Sequence, residues 1–200
     1  MSAEAQLRAR NLRTLALLAA LFLLPLAGAF FLYYGTDWRP AGLVNHGVLI
    51  NPPRLLPQPR LPGPAPGDGR LARPPFHGSW SLVYVGDGAC AAACREALTV
   101  MRQTRLALNT DMTRVERVFL VTADCCAGEL LAREHPGLNV LDASGSAAAA
   151  LLEAFPATDR EHTLFVVDPL GNLMMSYDAR RDPRGLLEDL KKLLRLSQIG

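Results

Sequence analysis

Downstream of residue 76, short apolar runs alternate with segments of helical periodicity. The runs are rich in valine, leucine and aromatic residues and end at glycine, proline or polar residues, which is typical of buried strands. The segments between them carry apolar residues three and four positions apart, which is typical of amphipathic helices. The pattern predicts strands at 80–85, 117–123, 138–141, 162–167 and 173–177, and helices at 90–109, 128–134, 146–155 and 183–196.

This order of elements predicts an α/β fold. Alternating strands and helices give a central sheet with helices on both faces. A hairpin follows, with its turn at 168–172, and the closing helix begins at Pro183 with Asp182 as its cap. Alternation followed by a hairpin and a helix is the thioredoxin-like arrangement. We therefore expect a thioredoxin-like domain, with a central mixed sheet flanked by helices, over residues 77–200.

A long apolar segment precedes this domain. Residues 14–34 form a stretch of 21 residues without a charged side chain. As a helix it would reach roughly 30 Å, which is enough to cross the core of a bilayer. Arg8, Arg10 and Arg13 stand before it, and this favours a single-pass anchor with residues 1–13 on the cytoplasmic side.

A cleaved signal peptide is the alternative interpretation of the apolar segment. The tripeptide Ala27-Gly28-Ala29 has the small-x-small form of a cleavage site. Apolar residues continue beyond it to residue 34, which favours an uncleaved anchor. Both interpretations place the rest of the chain outside the cytoplasm.

Residues 35–76 are rich in proline, with ten of the fifteen prolines of the chain. Proline-rich segments have little to bury and adopt semi-extended conformations, so this region is predicted to be a tether. About 20 such residues at about 3 Å each would hold the domain roughly 60 Å from the membrane. Within it, the apolar residues Val48, Leu49 and Ile50 indicate a short strand that docks on the domain.

The charge of the chain differs between its two parts. Residues 1–76 carry eight basic and three acidic residues, whereas residues 77–200 carry 13 basic and 16 acidic ones. The basic part lies beside the predicted anchor, where anionic headgroups attract it. The mildly acidic domain argues against nucleic acid as a partner.

The four cysteines form two local pairs rather than a spread framework of disulfides. Cys90 and Cys94 follow the first strand of the domain at the start of a predicted helix, where the helix dipole favours thiolates. His162 opens a later strand. Two thiols and one imidazole make a soft set of three ligands that suits copper(I).

The spacing of Cys90 and Cys94 leaves two chemistries open. On one helix, positions i and i+4 have Cβ atoms about 5–6 Å apart, whereas a disulfide needs about 3.8 Å, so the spacing favours a metal. A disulfide is the alternative if Cys90 stands just before the helix. The simplest interpretation is structural: Cys90 and Cys94 would be two small buried residues of a helix face, and His162 an ordinary histidine at a strand edge.

The motifs together resemble the Sco/SenC family. The resemblance rests on the Cys-x-x-x-Cys after a strand, on Glu161-His162-Thr163 before the run Leu-Phe-Val-Val-Asp-Pro-Leu-Gly at 164–171, and on the N-terminal anchor. It covers about residues 78–196. It implies that Cys90, Cys94 and His162 bind copper, as Cu(I) or Cu(II), for the binuclear copper site of cytochrome c oxidase subunit II or another copper acceptor. It also implies a bacterial inner-membrane protein with its domain in the periplasm.

Several positions depart from the family pattern. Ala91 and Arg95 follow the two cysteines, where the family usually has proline. Of the family's acidic segment after the next strand only Asp124 matches, and it is followed by Cys125 and Cys126. This second pair is either two small residues at a strand end or an auxiliary thiol relay for the main site.

Three functions are compatible with these residues. The first is a metallochaperone without enzymatic activity, in which Cys90, Cys94 and His162 hold copper(I). The second is a membrane-tethered thiol–disulfide reductase, in which Cys90 attacks and Cys94 resolves. The third is an assembly scaffold that uses the fold and not the thiols.

Overall fold

The chain divides into two compact units, Met1–Leu43 and Val44–Gly200. The structure is a computed structural model that describes residues 3–36, 44–63, 75–124, 128–197 and 199–200. The first unit is dominated by helix α1, Ala3–Gly35. Its segment Arg8–Gly35 is long and apolar enough to cross a membrane, and it contains a stretch of 18 residues with a mean hydropathy of 2.5, none of which is buried. A signal sequence has the same properties, so both interpretations of this segment stand.

The second unit is built on one sheet of six strands. They are β1 Val48–Leu55, β2 Trp80–Gly86, β3 Val115–Val121, β4 Leu138–Asp142, β5 Thr163–Val167 and β6 Asn172–Asp178. Their order across the sheet is β1-β6-β5-β2-β3-β4. Strands β2, β3 and β4 are parallel, whereas β5 and β6 form an antiparallel hairpin beside β2. The predicted α/β, thioredoxin-like fold is confirmed.

Within its described residues, four helices and three 3-10 segments complete this unit. The helices are α2 Ala92–Ala107, α3 Gly128–Glu134, α4 Ala149–Ala154 and α5 Pro183–Leu196. The 3-10 segments are Asn109–Arg114, Ser146–Ala148 and Arg160–His162. At the start of α5, the Asp182 side chain accepts a hydrogen bond from Gly185 N at 2.8 Å, so the predicted cap is confirmed.

The sheet separates two hydrophobic cores. Successive side chains of a strand point to opposite faces, and β2 shows this in a fully buried form. Leu82 and Tyr84 join the core that contains α2 and α5, whereas Val83 and Val85 join the core that contains α4. A central strand buried on both faces explains the unbroken apolar run of residues 82–85 in the sequence.

The segment predicted to be a tether belongs in part to the folded unit. Strand β1 pairs with β6, and the following Leu56 and Leu61 are only 2% and 5% exposed. The prediction of a tether is therefore wrong for residues 44–63, and residues 64–74 lie outside the described residues. The prolines of β1 lie between the paired positions Leu49 and Arg54, where the register shifts, at the edge of the sheet. Proline is tolerated there because its missing N–H interrupts no ladder.

The start of β1 is fixed to α5 through a buried carboxylate. Asp189 Oδ2 accepts hydrogen bonds from the backbone nitrogens of His46 and Gly47 at 2.7 and 3.1 Å. It also accepts one from the Tyr177 hydroxyl at 2.7 Å. Gly47 lies so close to the Tyr177 ring that any side chain there would collide with it. The predicted docked strand at 48–50 is therefore present, and it continues to Leu55.

Candidate functional site

The two parallel strands β2 and β3 end at the same edge of the sheet. Gly86, the last residue of β2, pairs with Val121, the last residue of β3. In the loop after β2, Gly88 N donates a hydrogen bond to Ala123 O at 2.8 Å. A Cβ at Gly88 would collide with the backbone carbonyl of Asp124. Glycine thus allows the cysteine loop to pack directly on the loop after β3.

Cys90 and Cys94 are joined by a disulfide in this structure, with their Cα atoms 5.0 Å apart. Helix α2 begins only at Ala92, so Cys90 precedes the helix and Cys94 lies in its first turn. Cys90 has a positive φ of 44°, a left-handed conformation that costs a non-glycine residue about 1 kcal/mol or more. The spacing argument that favours a metal requires both cysteines on one helix. In the structure Cys90 stands before the helix, which is the arrangement that allows a disulfide.

Both cysteine side chains are buried beneath the start of α2. Cys90 is 2% exposed and Cys94 is 4% exposed, and both belong to the core that contains Tyr84. The neighbouring residues Ala91 and Ala92 are exposed, as are Arg95 and Glu96. Both sulfurs are therefore shielded from solvent in the disulfide form. No described side chain accepts a hydrogen bond as an N-cap at Ala91, so the helix amides remain available to stabilise a thiolate after reduction.

His162 lies at the same end of the sheet as the cysteines. It ends the 3-10 turn Arg160–His162, which leads directly into β5 and contacts both α2 and β2. Strand β5 is antiparallel to β2, with Leu164 opposite Tyr84. If the register is continued by two residues, His162 stands opposite Gly86. The fold thus brings the cysteine helix and the histidine turn together, and the role of these three residues as metal ligands stays a prediction.

Two carboxylates accompany the histidine. The ligand atoms of Asp159, Glu161 and His162 all lie within 4.8 Å of one another. The His162 Nε2 atom is 3.7 Å from Glu161 Oε1, and its side chain is 21% exposed. Asp159 Oδ2 accepts a hydrogen bond from Arg180 Nη2 at 2.5 Å, so this carboxylate is already paired with a cation. The sequence contained the signal for this cluster, because the two acidic residues stand within three positions of His162.

The turn that carries His162 is held from several directions. The Tyr84 hydroxyl donates a hydrogen bond to Glu161 O at 3.0 Å, and Ala179 N donates one to His162 O at 2.8 Å. Burial, with a smaller contribution from the charge of Glu161, raises the pKa of Tyr84 to about 12. Tyr84 therefore remains a hydrogen-bond donor at neutral pH. This contact could not be predicted from the sequence, since Tyr84 is one of several buried positions in β2.

The donor atoms fit copper(I) only after reduction. A thiolate is the form of cysteine that binds metals, and each sulfur of a disulfide is bonded to the other instead. Reduction would supply two thiolates, and thiolates and imidazole are ligands that copper(I) prefers. Cys125 and Cys126, the second predicted pair, lie outside the described residues. They follow Asp124, whose backbone contacts the cysteine loop at Gly88.

Solved Sco structures share this fold. Apo Sco1 from Thermus thermophilus aligns with a TM-score of 0.56 and 19% identity, over 78% of this chain and 98% of that one. Copper-bound yeast Sco1 aligns with a TM-score of 0.52 and 16% identity, over 61% and 82% of the two chains. At these identities the similarity shows the fold, and it confirms the Sco-like fold that the motifs predict.

Sequence comparison places the folded unit in a family. A search of curated proteins finds no match to the sequence. Residues 80–197, more than half of the chain, match the model of a family described as transmembrane-like, thioredoxin-like, C-terminal domain. This match includes Cys90, Cys94 and His162 and ends beyond the last helix. The chain therefore belongs to the transmembrane-like, thioredoxin-like C-terminal domain family.

Proposed function

We propose that this protein is a membrane-anchored copper(I) carrier that assists assembly of the binuclear copper site of cytochrome c oxidase. One observation supports this most directly. A fold shared with Sco1 proteins puts the turn bearing His162 against the helix bearing Cys94 and against the strand that leads to Cys90. The copper-bound form of yeast Sco1 is among the structures with this fold.

Loading begins with reduction of the disulfide. An external dithiol supplies two electrons and two protons to the Cys90–Cys94 disulfide, which becomes two thiols while the dithiol becomes a disulfide. Copper(I) then replaces the two thiol protons and binds both sulfurs and the imidazole of His162. The three-coordinate ion has an open side. A thiolate of the acceptor attacks there, and copper leaves by exchange of ligands.

The membrane location is part of this proposal. Helix α1 has the length and composition of a membrane span, and Arg8, Arg10 and Arg13 lie at its N-terminal end. Arginines on this side favour a cytoplasmic N-terminus. The folded unit would then lie in the periplasm of a bacterium, anchored to the inner membrane. Its partner would be oxidase subunit II or another copper acceptor in the same compartment.

A thiol–disulfide reductase is the second candidate, and the disulfide itself favours it. In this function the reduced Cys90 attacks a disulfide of the target, and Cys94 then attacks the mixed disulfide to release the reduced target. The Cys90–Cys94 disulfide is the product of that cycle. His162 has no covalent role in it.

Replacing His162 separates the two candidates. For a carrier, His162→Ala should weaken copper(I) affinity by about 10-fold or more, because one of three ligands is lost. The rate of exchange between the Cys90–Cys94 disulfide and a small dithiol should change by less than about 3-fold. Competition with a copper(I) chelator and stopped-flow kinetics measure the two quantities. His77→Ala is the matched control, because His77 is exposed and precedes the opposite end of β2.

The opposite result would support the reductase. If His162→Ala left copper(I) affinity unchanged and most of the exchange rate was kept, His162 would not be a metal ligand and the cysteines would serve thiol–disulfide exchange.

A further inference from the structure

We infer that Tyr84 is a positioning residue that fixes the backbone at His162 and so presets the imidazole for its ligand role. This inference rests on the proposed function in so far as His162 binds copper. The geometry behind the inference involves only residues of the protein and no metal. The Tyr84 side chain joins the strand that leads to the cysteines with the turn that carries the histidine.

Tyr84 reaches from the cysteine strand to the histidine turn. It lies on β2, two residues before Gly86, and its side chain is only 2% exposed. Its hydroxyl donates to Glu161 O at 3.0 Å. Because β2 is an inner strand of the sheet and runs into the cysteine loop, this single side chain connects the strand before the cysteines with the turn that carries the histidine.

The hydrogen bond acts on the peptide unit next to His162. The carbonyl of Glu161 and the N–H of His162 belong to one planar peptide group. Tyr84 fixes the oxygen of this group, and Asp159 O accepts from His162 N at 3.0 Å. Both polar atoms of the plane are therefore held. A fixed plane limits the direction of the Cα–Cβ bond of His162, from which the ring projects.

Gly86 makes this contact possible. A Cβ at Gly86 would lie 2.8 Å from Tyr84 Cε1 and 3.0 Å from its hydroxyl oxygen. The hydroxyl end of the ring therefore lies against Gly86, in the space that any side chain would fill. The Gly86 carbonyl accepts a hydrogen bond from Thr122 N at 2.9 Å, so the strand cannot easily move away. Gly86→Ala should therefore displace the Tyr84 ring from Glu161.

Hydrogen exchange tests the inference without a metal. In the metal-free full chain in detergent micelles, Tyr84→Phe should accelerate amide exchange at His162 and Ala179 by about 10-fold, because the turn opens more often. Tyr177→Phe is the matched control. It removes another buried hydroxyl of the same core, whose hydrogen bond goes to Asp189 on α5. Unchanged exchange at His162 and Ala179 in Tyr84→Phe would overturn the inference.

Copper(I) titration in a double-mutant cycle tests the consequence for the ligand. Tyr84→Phe and Gly86→Ala should each weaken affinity by about 10-fold, which is typical for the loss of an outer partner of a ligand. In the His162→Ala background, Tyr84→Phe should change affinity by less than about 2-fold, because no ring remains to be positioned. A merely structural role would give the same loss in both backgrounds and would overturn the inference.

The carrier proposal and the positioning role of Tyr84 can be rejected independently of each other. If the reduced wild-type chain does not hold copper(I), the carrier proposal is wrong, and hydrogen exchange still decides whether Tyr84 fixes the histidine turn. If copper(I) binds and His162→Ala weakens it, while Tyr84→Phe has no effect in either experiment, only the positioning role is wrong.

Discussion

At the scale of single residues, Asp189 shows how the fold accommodates a buried carboxylate. The residue is 5% exposed, and one of its oxygens accepts three hydrogen bonds. A buried charge is tolerated when donors replace the water that it has lost. Burial, and then the hydrogen bond to Asp189, raises the pKa of Tyr177 above its ordinary value, so this donor stays protonated. Asp189 thereby holds the start of β1 against α5.

Replacing this carboxylate should cost much stability. We expect Asp189→Ala to lower the free energy of unfolding by about 3 kcal/mol, because three donors, two of them buried, lose their acceptor. Urea denaturation of the full chain in detergent measures it. Glu188→Ala is the control on the same helix. Its side chain is 57% exposed and pairs with His46, so we expect about 0.5 kcal/mol or less. Equal losses in the two variants would contradict this role of Asp189.

The pairing of the cysteines could be predicted from the sequence only as one of two alternatives. The choice depends on whether the helix begins before or after Cys90. A helix start is usually marked by serine, threonine, aspartate or asparagine at the cap, whereas the cap of α2 is Ala91, which is a poor cap. The start at Ala92 is therefore a result of tertiary packing. The contact between Tyr84 and the histidine turn could not be predicted for the same reason, since a contact between distant segments leaves no local pattern.

At the scale of elements, β1 is the element that the sequence described least well. The other strands and helices of the folded unit are apolar or amphipathic, and they lie within a few residues of their predicted positions. Strand β1 is largely exposed and contains two prolines, so it shows neither alternation nor continuous burial. What defines it is pairing with β6, which follows it by more than a hundred residues. Only the three apolar residues 48–50 indicated it.

Two fragments test whether β1 and the residues after it belong to the domain. Residues 44–200 should unfold cooperatively, with nearly the stability of the folded unit in the full chain. Residues 77–200 lack β1, Leu56 and Leu61, and burial of each leucine contributes about 2 kcal/mol. We expect this fragment to lose about 4 kcal/mol or more, a large part of the about 5–15 kcal/mol of a typical domain. Urea denaturation followed by circular dichroism measures both. Equal stability would restore the tether prediction.

At the scale of the whole molecule, the order of elements and the resemblance of the motifs were sufficient to predict the fold. They did not settle the state of the site, because a spacing of four positions favours a metal but also allows a disulfide when the first cysteine stands before the helix. The structure shows the disulfide form, in which both sulfurs are buried and bonded to each other. For a carrier this is the empty and oxidised state. The central claim is therefore that reduction converts it into a copper(I) site.

An anaerobic copper(I) titration of the full chain in detergent, before and after reduction, tests that claim most directly. Cys125→Ser and Cys126→Ser are introduced together so that any binding is assigned to Cys90 and Cys94. We predict that the reduced chain binds one copper(I) and that the disulfide form binds it at least about 100-fold more weakly, because thiolates are the ligands. Equal affinity of the two forms, or no retention of copper(I) by the reduced chain, would contradict the account.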